Sequence, residues 1–283
     1  MIVQHNMTAL NANRMLGVTN SALAKRTEKL SSGYRVNRAA DDAAGLSISE
    51  KMRGQIRGLN QASRNAQDGI SLIQTAEGAM NEIHSVLQRM RELTVQASND
   101  TYVTADRQAI AKEVTALTSE ITRIAVQTEF NKMTLLNGTF SHKVLQVGAN
   151  SRQIISFSIK GLSADSLGVG KTTGNIAGCI SAWATLQDSG HRITALISVV
   201  NKAISQVSIQ RSALGALQNR LDHTVANADN MAENLQSSES KIRDANLADE
   251  MVSYSSSSIL QQAGQSMLAQ ANQATQGILS LLG

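Results

Sequence analysis

Proline is absent from the 283 residues, where average usage near 5% would place roughly 14. Helices can therefore run long without an imposed break. Aromatics are 2% of the chain, three Phe, three Tyr and one Trp. Few large side chains are on hand to fill a thick core. The single cysteine, Cys179, excludes an intramolecular disulfide framework and a cysteine-rich metal site. There is no apolar run of the roughly 18 residues that a transmembrane helix needs, so membrane insertion is not expected. The opening MIVQHNMTALNANR lacks a basic segment followed by an apolar core. It does not read as a secretory signal peptide, and export is expected to use a route that reads no such signal.

Hydrophobic residues nonetheless make up 42% of the chain, chiefly small and medium aliphatics that suit helices packed side by side. Net charge is +4, unevenly spread. Residues 1–60 hold nine Lys/Arg against four Asp/Glu, and residues 251–283 hold no charge and no His. The basic residues are dispersed along helices rather than clustered, so a solvated helix face explains them and nucleic-acid binding is not expected.

The spacing of apolar residues predicts the architecture. Met52, Leu59, Ala66, Ile73, Met80 and Leu87 recur every seven residues, with Ile56, Ser63 and Ile70 between them. This is a coiled-coil-like seam on a helix over about 43–97. After the polar break at Asn99-Asp100, Thr104 is expected to cap a second helix with the seam Ile110, Val114, Leu117, Ile121 and Ile124. A third register runs through Ile193, Ile197, Val200, Ile204, Val207, Leu214, Leu221, Val225, Ala228, Ala232 and Leu235. Arg211 and Gln218 interrupt it, as register-setting polar contacts within a bundle. Residues 143–147 and 153–159 alternate as strands around the turn Gly148-Ala149-Asn150, predicting a β-hairpin at about 140–160. Residues 161–178, rich in Gly, Ser and Thr, read as loop.

The two ends mirror each other. Leu16, Leu23 and Leu30 form one heptad row; Leu260, Met267, Ala274 and Leu281 form another, with Ala271 and Ile278 between. Each row is too thin to hold an isolated helix in water. They must pair with each other or with copies from other chains. The charge-free tail, with six Gln and seven Ser in residues 251–283, is too polar for lipid. It reads as a segment buried by self-association. The expected fold is mainly α: an elongated antiparallel helical bundle with long coiled-coil-like helices, a small β-hairpin and paired N- and C-terminal helices. A terminal domain is expected over 1–42 with 245–283, and the bundle over 43–244.

No constellation for catalysis emerges, and no enzyme activity or cofactor is expected. Gly168-Val169-Gly170-Lys171-Thr172 matches the second half of a phosphate-binding loop, but Asp165 stands where that motif needs glycine. His5, His84, His142, His191 and His223 share no metal-ligand spacing. Glu77 and His84 fall on the inner seam of the first long helix and read as polar contacts of the bundle. Cys179 has no neighbouring His or Lys to activate it. Asp41-Asp42, just before Ala43-Ala44-Gly45-Leu46, suit a helix N-terminus.

These residues also carry a family resemblance. Leu30-Ser-Ser-Gly-Tyr-Arg-Val-Asn37, Ala40-Asp-Asp-Ala-Ala-Gly-Leu46, Asn65-Ala-Gln-Asp-Gly-Ile70, Thr75-Ala-Glu-Gly-Ala79 and Leu87-Gln-Arg-Met-Arg-Glu-Leu93 resemble the N-terminal part of bacterial flagellins. Phe130-Asn131, Leu136-Asn-Gly138 and Gln146-Val-Gly-Ala-Asn150 continue the likeness. Leu214-Gly-Ala-Leu-Gln-Asn-Arg-Leu221, Glu233-Asn-Leu235, Ser240-Lys-Ile-Arg-Asp244, Ile259-Leu-Gln-Gln-Ala-Gly264 and Leu268-Ala-Gln-Ala-Asn272 resemble the C-terminal part. Together they span roughly 1–160 and 190–283, as in a minimal flagellin without outer domains. Cys179, Trp183, the Ser255–Ser258 run and the lack of proline near Ala274-Thr275 depart from the family pattern.

The resemblance implies a structural protein, secreted through the flagellar type III route and polymerised into the extracellular filament of the bacterial flagellum for swimming motility. Its partners would be copies of itself, an export chaperone and the cap and junction proteins. It also implies recognition by the innate immune receptor Toll-like receptor 5 through Gln88, Arg89, Leu93 and Glu113, with Leu93 as an apolar anchor on the face of Arg89. A hook–filament junction protein shares both ends of the pattern. A coiled-coil signalling module would share the long seams but carry a charged hairpin tip and no neutral tail.

Overall fold

A computed structural model describes residues 6–170, 176–183 and 189–282, with side chains at 183, 189–192 and 275–282 left undescribed. The elements are, in order, α1 (Met7–Ser32), α2 (Ala43–Ala97), α3 (Thr104–Gln127), β1 (Glu129–Phe130), β2 (Met133–Thr134), β3 (Lys143–Gln146), β4 (Ile154–Phe157), α4 (Ile176–Trp183), α5 (Ser189–Arg243) and α6 (Leu247–Leu282). The fold is mainly α with small antiparallel strand pairs, as the periodicity predicts. The chain divides into two compact units, residues 1–56 with 233–283, and residues 57–232. The helices α2 and α5 contribute to both.

In the 57–232 unit, α2 and α5 run antiparallel. Glu77 faces Arg211 at 3.6 Å, and Gly69 lies beside Leu221. The Arg211 interruption is thus a polar contact between the two helices. Along α2 the residues Leu59, Ala62, Ala66, Gly69, Ile73, Ala76, Met80, Ile83, Leu87, Met90, Thr94 and Ala97 are buried in a strict alternation of three and four. The first heptad row matches the expectation; Ser63 is buried and Ile70 packs against the core as well, but the alternating row itself runs through Ala62, Gly69, Ala76, Ile83 and Met90. Glu77 and His84 flank the seam, half-buried, and do not interrupt it. The seam narrows at alanines, whose weak hydrophobicity hides them from a pattern search although they let the neighbours approach.

Helix α3 starts at Thr104 with Val103 as its N-cap residue. Thr104 is therefore the first helical residue, not the cap. Val103 has no side-chain acceptor, so only the return half of a capping box forms: the Val103 N–H donates to the Asp106 carboxylate at 3.3 Å. Ile110, Val114 and Ile121 are buried, and Leu117 and Ile124 are packed against the core. At the junction of α2 and α3 the Arg107 guanidinium, itself buried, donates to the carbonyls of Ala97 and Asn99, each at 3.1 Å, and to Asp100 at 2.9 Å. It satisfies carbonyls at the end of α2 that no intrahelical donor reaches.

The strands β3 and β4 pair with Lys143 opposite Phe157 and Gln146 opposite Ile154. Ile155 and Ile159 turn into the core. The Phe140 and Phe157 rings meet at 5.7 Å. A second, shorter hairpin joins β1 and β2 through Asn131 and Lys132, both at positive φ (49° and 61°). That geometry suits a tight two-residue hairpin turn.

In the segment expected to be loop over 161–178, the described residues 161–170 and 176–178 are packed instead. Leu162, Ala164, Leu167, Val169, Ile176, Ala177 and Ile180 are buried in the same core, and Ile176 opens α4. The apolar residues there are spaced too irregularly among Gly and Ser to register as helix or strand. Tertiary contacts order them: α4 packs against α3, and the Leu162 N–H donates to the Leu136 carbonyl at 2.8 Å.

Candidate functional site

Two short segments hold the terminal helices together in the unit of residues 1–56 and 233–283. Gly33 ends α1 at φ +73°, its N–H donating to the Lys29 carbonyl. Tyr34 then forms an antiparallel bridge with Asp244, flanked by Arg35 N–H to the Arg243 carbonyl at 2.7 Å and Ala245 N–H to the Gly33 carbonyl at 2.9 Å. The Arg243 guanidinium stacks over the Tyr34 ring at 4.8 Å and donates to Glu50 at 2.9 Å. That bond, first among its neighbours, holds the Glu50 carboxyl below its ordinary range. Asp42 accepts from the Gly45 N–H at 2.8 Å, as an N-cap residue of α2 does. The Asp41 carboxylate accepts from Arg38 N–H at 3.0 Å and Asn37 N–H at 3.3 Å, and the Arg38 bond leads in depressing its pKa. Asp42 thus stabilises the α2 N-terminus as the sequence suggests, whereas Asp41 closes the turn at Asn37 and Arg38 ahead of the helix.

From these anchors α1 and α6 run antiparallel. On α1 the half-buried residues Ala9, Ala12, Leu16, Thr19, Leu23, Arg26 and Leu30 form one face. On α6 the matching face is Glu250, Tyr254, Ser257, Gln261, Gly264, Leu268 and Ala271. Both faces step by three and four. Across the seam Arg26 and Lys29 reach Glu250 at 2.6 and 3.5 Å. Gln261 donates to Asn20 at 2.9 Å, Leu16 packs on Gly264, and Asn6 donates to the Ala271 carbonyl at 2.9 Å. The seam mixes four leucines with small, hydroxyl and charged side chains, and α1 has no fully buried residue.

The C-terminal heptad row expected from the sequence is therefore split. Leu16, Leu23, Leu30 and Ala271 face the seam. Leu260 (61% exposed), Met267 (65%) and Ala274 point away from it. The side chains of Ile278 and Leu281 lie outside the described residues. The physical reason is that Glu250, Tyr254 and Gly264 carry stronger constraints than the aliphatics: a carboxylate must find its cations and a helix must approach at glycine. Pattern reading passed over Arg26 and Glu250, although charges at seam positions are a signal of a paired contact. With Met7, Leu10, Val18, Val252 and Ile259 also exposed, both terminal helices carry large apolar side chains with nothing over them. Isolated folded chains seldom leave so many uncovered.

The residues that the resemblance links to a receptor lie in the other unit. Arg89 is half exposed and spans α2 and α3 through Glu113 at 2.9 Å, with Glu92 at 3.1 Å. Gln88 is half-buried and lies 3.4 Å from His84. Leu93 does not share their surface. It is 1% exposed and packs in the core, because the seam of α2 turns Leu93 inward while Arg89 stays outside. As an exposed anchor beside Arg89 it is withdrawn.

The glycine-rich stretch is no phosphate cradle in its described part. The N–H groups of Gly168, Val169 and Gly170 already donate to the carbonyls of Asp165 and Ala164, leaving none to face an anion. Lys171 and Thr172 lie outside the described residues. Among the described residues no group of three His, Cys, Asp or Glu is placed to hold a metal. No helix among them is long and apolar enough to cross a membrane.

Comparison with known proteins agrees with the likeness in the motifs. Residues 3–141 match the bacterial flagellin N-terminal helical region and residues 197–282 the bacterial flagellin C-terminal helical region. The chain is 50% identical over 282 residues to a flagellin of Halalkalibacterium halodurans, and 50% identical over 305 residues to a flagellin of Bacillus subtilis, covering the whole of both chains in each case. A putative flagellar hook-associated protein from Vibrio parahaemolyticus shares the fold, with a TM-score of 0.61 at 12% identity over 72% of this chain and 100% of that one. Full-length identity to flagellins, against a likeness of fold alone to the hook-associated protein, does not favour the junction alternative. The chain belongs to the bacterial flagellin family, the structural subunits of the flagellar filament.

Proposed function

We propose that the protein leaves the cell through the flagellar type III route and polymerises outside it into a filament that drives swimming. An export chaperone and the cap and junction proteins would be its partners on the way. In this reading residues 1–42 and 245–283 form the inner core of the filament and 43–244 the surrounding shell. The observation that carries it is the row of uncovered apolar side chains on α1 and α6, facing away from the seam that joins them. Covering apolar surface is the main favourable term in most association, about 25 cal/mol per Å², and copies of the same helix pair supply the cover in an open helical array.

The test is Ile259→Asp, which places a charge on the outward face of α6 (66% exposed in the single chain). Seeded growth should stop while the circular dichroism of the soluble chain stays as in the wild type. Normal filaments from this variant would refute the reading.

The same proposal includes recognition of the free subunit by Toll-like receptor 5, through Arg89, Glu113 and Gln88. Arg89 and Glu113 are exposed, and a guanidinium already set by two carboxylates presents a fixed charge to a partner. Arg89→Ala should weaken receptor binding by about 1–3 kcal/mol. Titration of receptor with folded wild-type and variant subunit measures it, and unchanged affinity would remove the assignment.

A further inference from the structure

The outward faces of α2 and α5 in the 57–232 unit carry opposite charge at the same spacing. On α2, Arg57 and Arg64 are exposed and point away from the buried row Leu59, Ala62, Ala66. Arg64 is held only by Gln61 of its own helix, at 2.7 and 3.2 Å, and Asp68 ends the basic row one turn on. On α5, Asp222 and Asp229 are exposed beside the buried row Leu221, Ala228. No ion pair within the chain is described for Arg57, Arg64, Asp222 or Asp229. Each pair is seven residues apart, about 10.5 Å along a helix axis. Two rigid helices can thus bring both arginines onto both aspartates at once, whichever way the helices run.

We propose that Arg57 and Arg64 of one subunit engage Asp222 and Asp229 of a second copy of this chain, as a charge-matched lateral contact in the polymer. It rests on the filament reading above and names a surface of the bundle, distinct from the apolar faces of α1 and α6. A single exposed ion pair contributes little. Two pairs in matched register, partly desolvated between subunits, fix which surfaces meet and speed their encounter. The occupant is another copy because each subunit carries both halves of the contact on different helices, as a head-to-tail array requires.

The test uses full-length chain seeded with wild-type filament fragments at low salt, with critical concentration read by sedimentation and folding by circular dichroism. The double variants Arg57→Glu/Arg64→Glu and Asp222→Lys/Asp229→Lys should each raise the critical concentration about tenfold or more. Mixed in equal amounts they should co-sediment near the wild-type value, because every contact between unlike subunits again joins opposite charges. Added salt should raise the wild-type critical concentration and leave the single-variant values nearly flat or lowered. Wild-type behaviour of either variant alone, or a mixture no better than its components, would overturn the contact while leaving the filament reading intact. A wild-type chain that does not grow on seeds in the same assay would take down both.

Discussion

Arg107 does at one position what a C-terminal glycine does elsewhere, supplying donors to carbonyls at the end of α2 from a nearly dry side chain. Replacing it with methionine keeps most of the volume and removes the donors. The Ala97 carbonyl then loses its Arg107 donor, at a cost of about 1–3 kcal/mol. Guanidinium denaturation of the wild type and Arg107→Met measures this directly. Glu50 makes a smaller, pH-dependent contribution. Its folded pKa is depressed, chiefly by the Arg243 bond. Its stabilisation is therefore complete above the ordinary carboxylate range and disappears as pH falls through the lowered folded value. Acidification should lower the denaturation midpoint more in the wild type than in Glu50→Gln. The group is exposed, so the difference should be small, and equal loss in both proteins would count against the bond.

At the scale of elements, glycines of α2 separate two roles. Nothing lies within 4 Å of where a Cβ would stand at Gly78. Gly78→Ala should therefore stabilise by roughly 0.5–1 kcal/mol through helix propensity alone. At Gly58 the added carbon would come within 2.8 Å of the Ala149 Cβ and 3.1 Å of its Cα. The turn between β3 and β4 would have to move, and Asn65, which donates to the Gln146 carbonyl at 3.1 Å, would be pulled with it. Gly58→Ala should cost about 1–3 kcal/mol despite the better propensity. Thermal midpoints of the two variants should shift in opposite directions.

For the whole molecule, the terminal helices are held to each other by a seam of leucines, small residues and polar groups, and each leaves a second set of large apolar residues outside. Removing residues 251–283 takes away most of α6 and uncovers Leu16, Leu23 and Leu30. It touches none of the buried rows of the 57–232 unit. The truncated chain should retain the thermal transition of that unit and fail to grow on filament seeds. Sedimentation after seeding, beside a calorimetric scan, checks both halves of the expectation.

Helix placement was legible in residues 43–127 because heptad spacing over many turns admits only one period, and α2 covers 43–97 as expected. The family was legible in ordered motifs at both ends. The packed segment after β4 was not, since Leu162, Leu167 and Ile176 are buried by contacts distant in sequence and follow no local period. Nor was the inner row of α2, where Ala62 and Ala76 matter for closeness rather than hydrophobicity. The inward turn of Leu93 and the outward turn of Leu260 and Met267 were also decided in three dimensions. A helix with two apolar stripes can bury either one. Which it buries depends on where the partner presents its cations and its glycine contacts, here Arg26, Lys29 and Leu16 against Glu250 and Gly264. Local spacing determines that a stripe exists; only the tertiary structure chooses its partner.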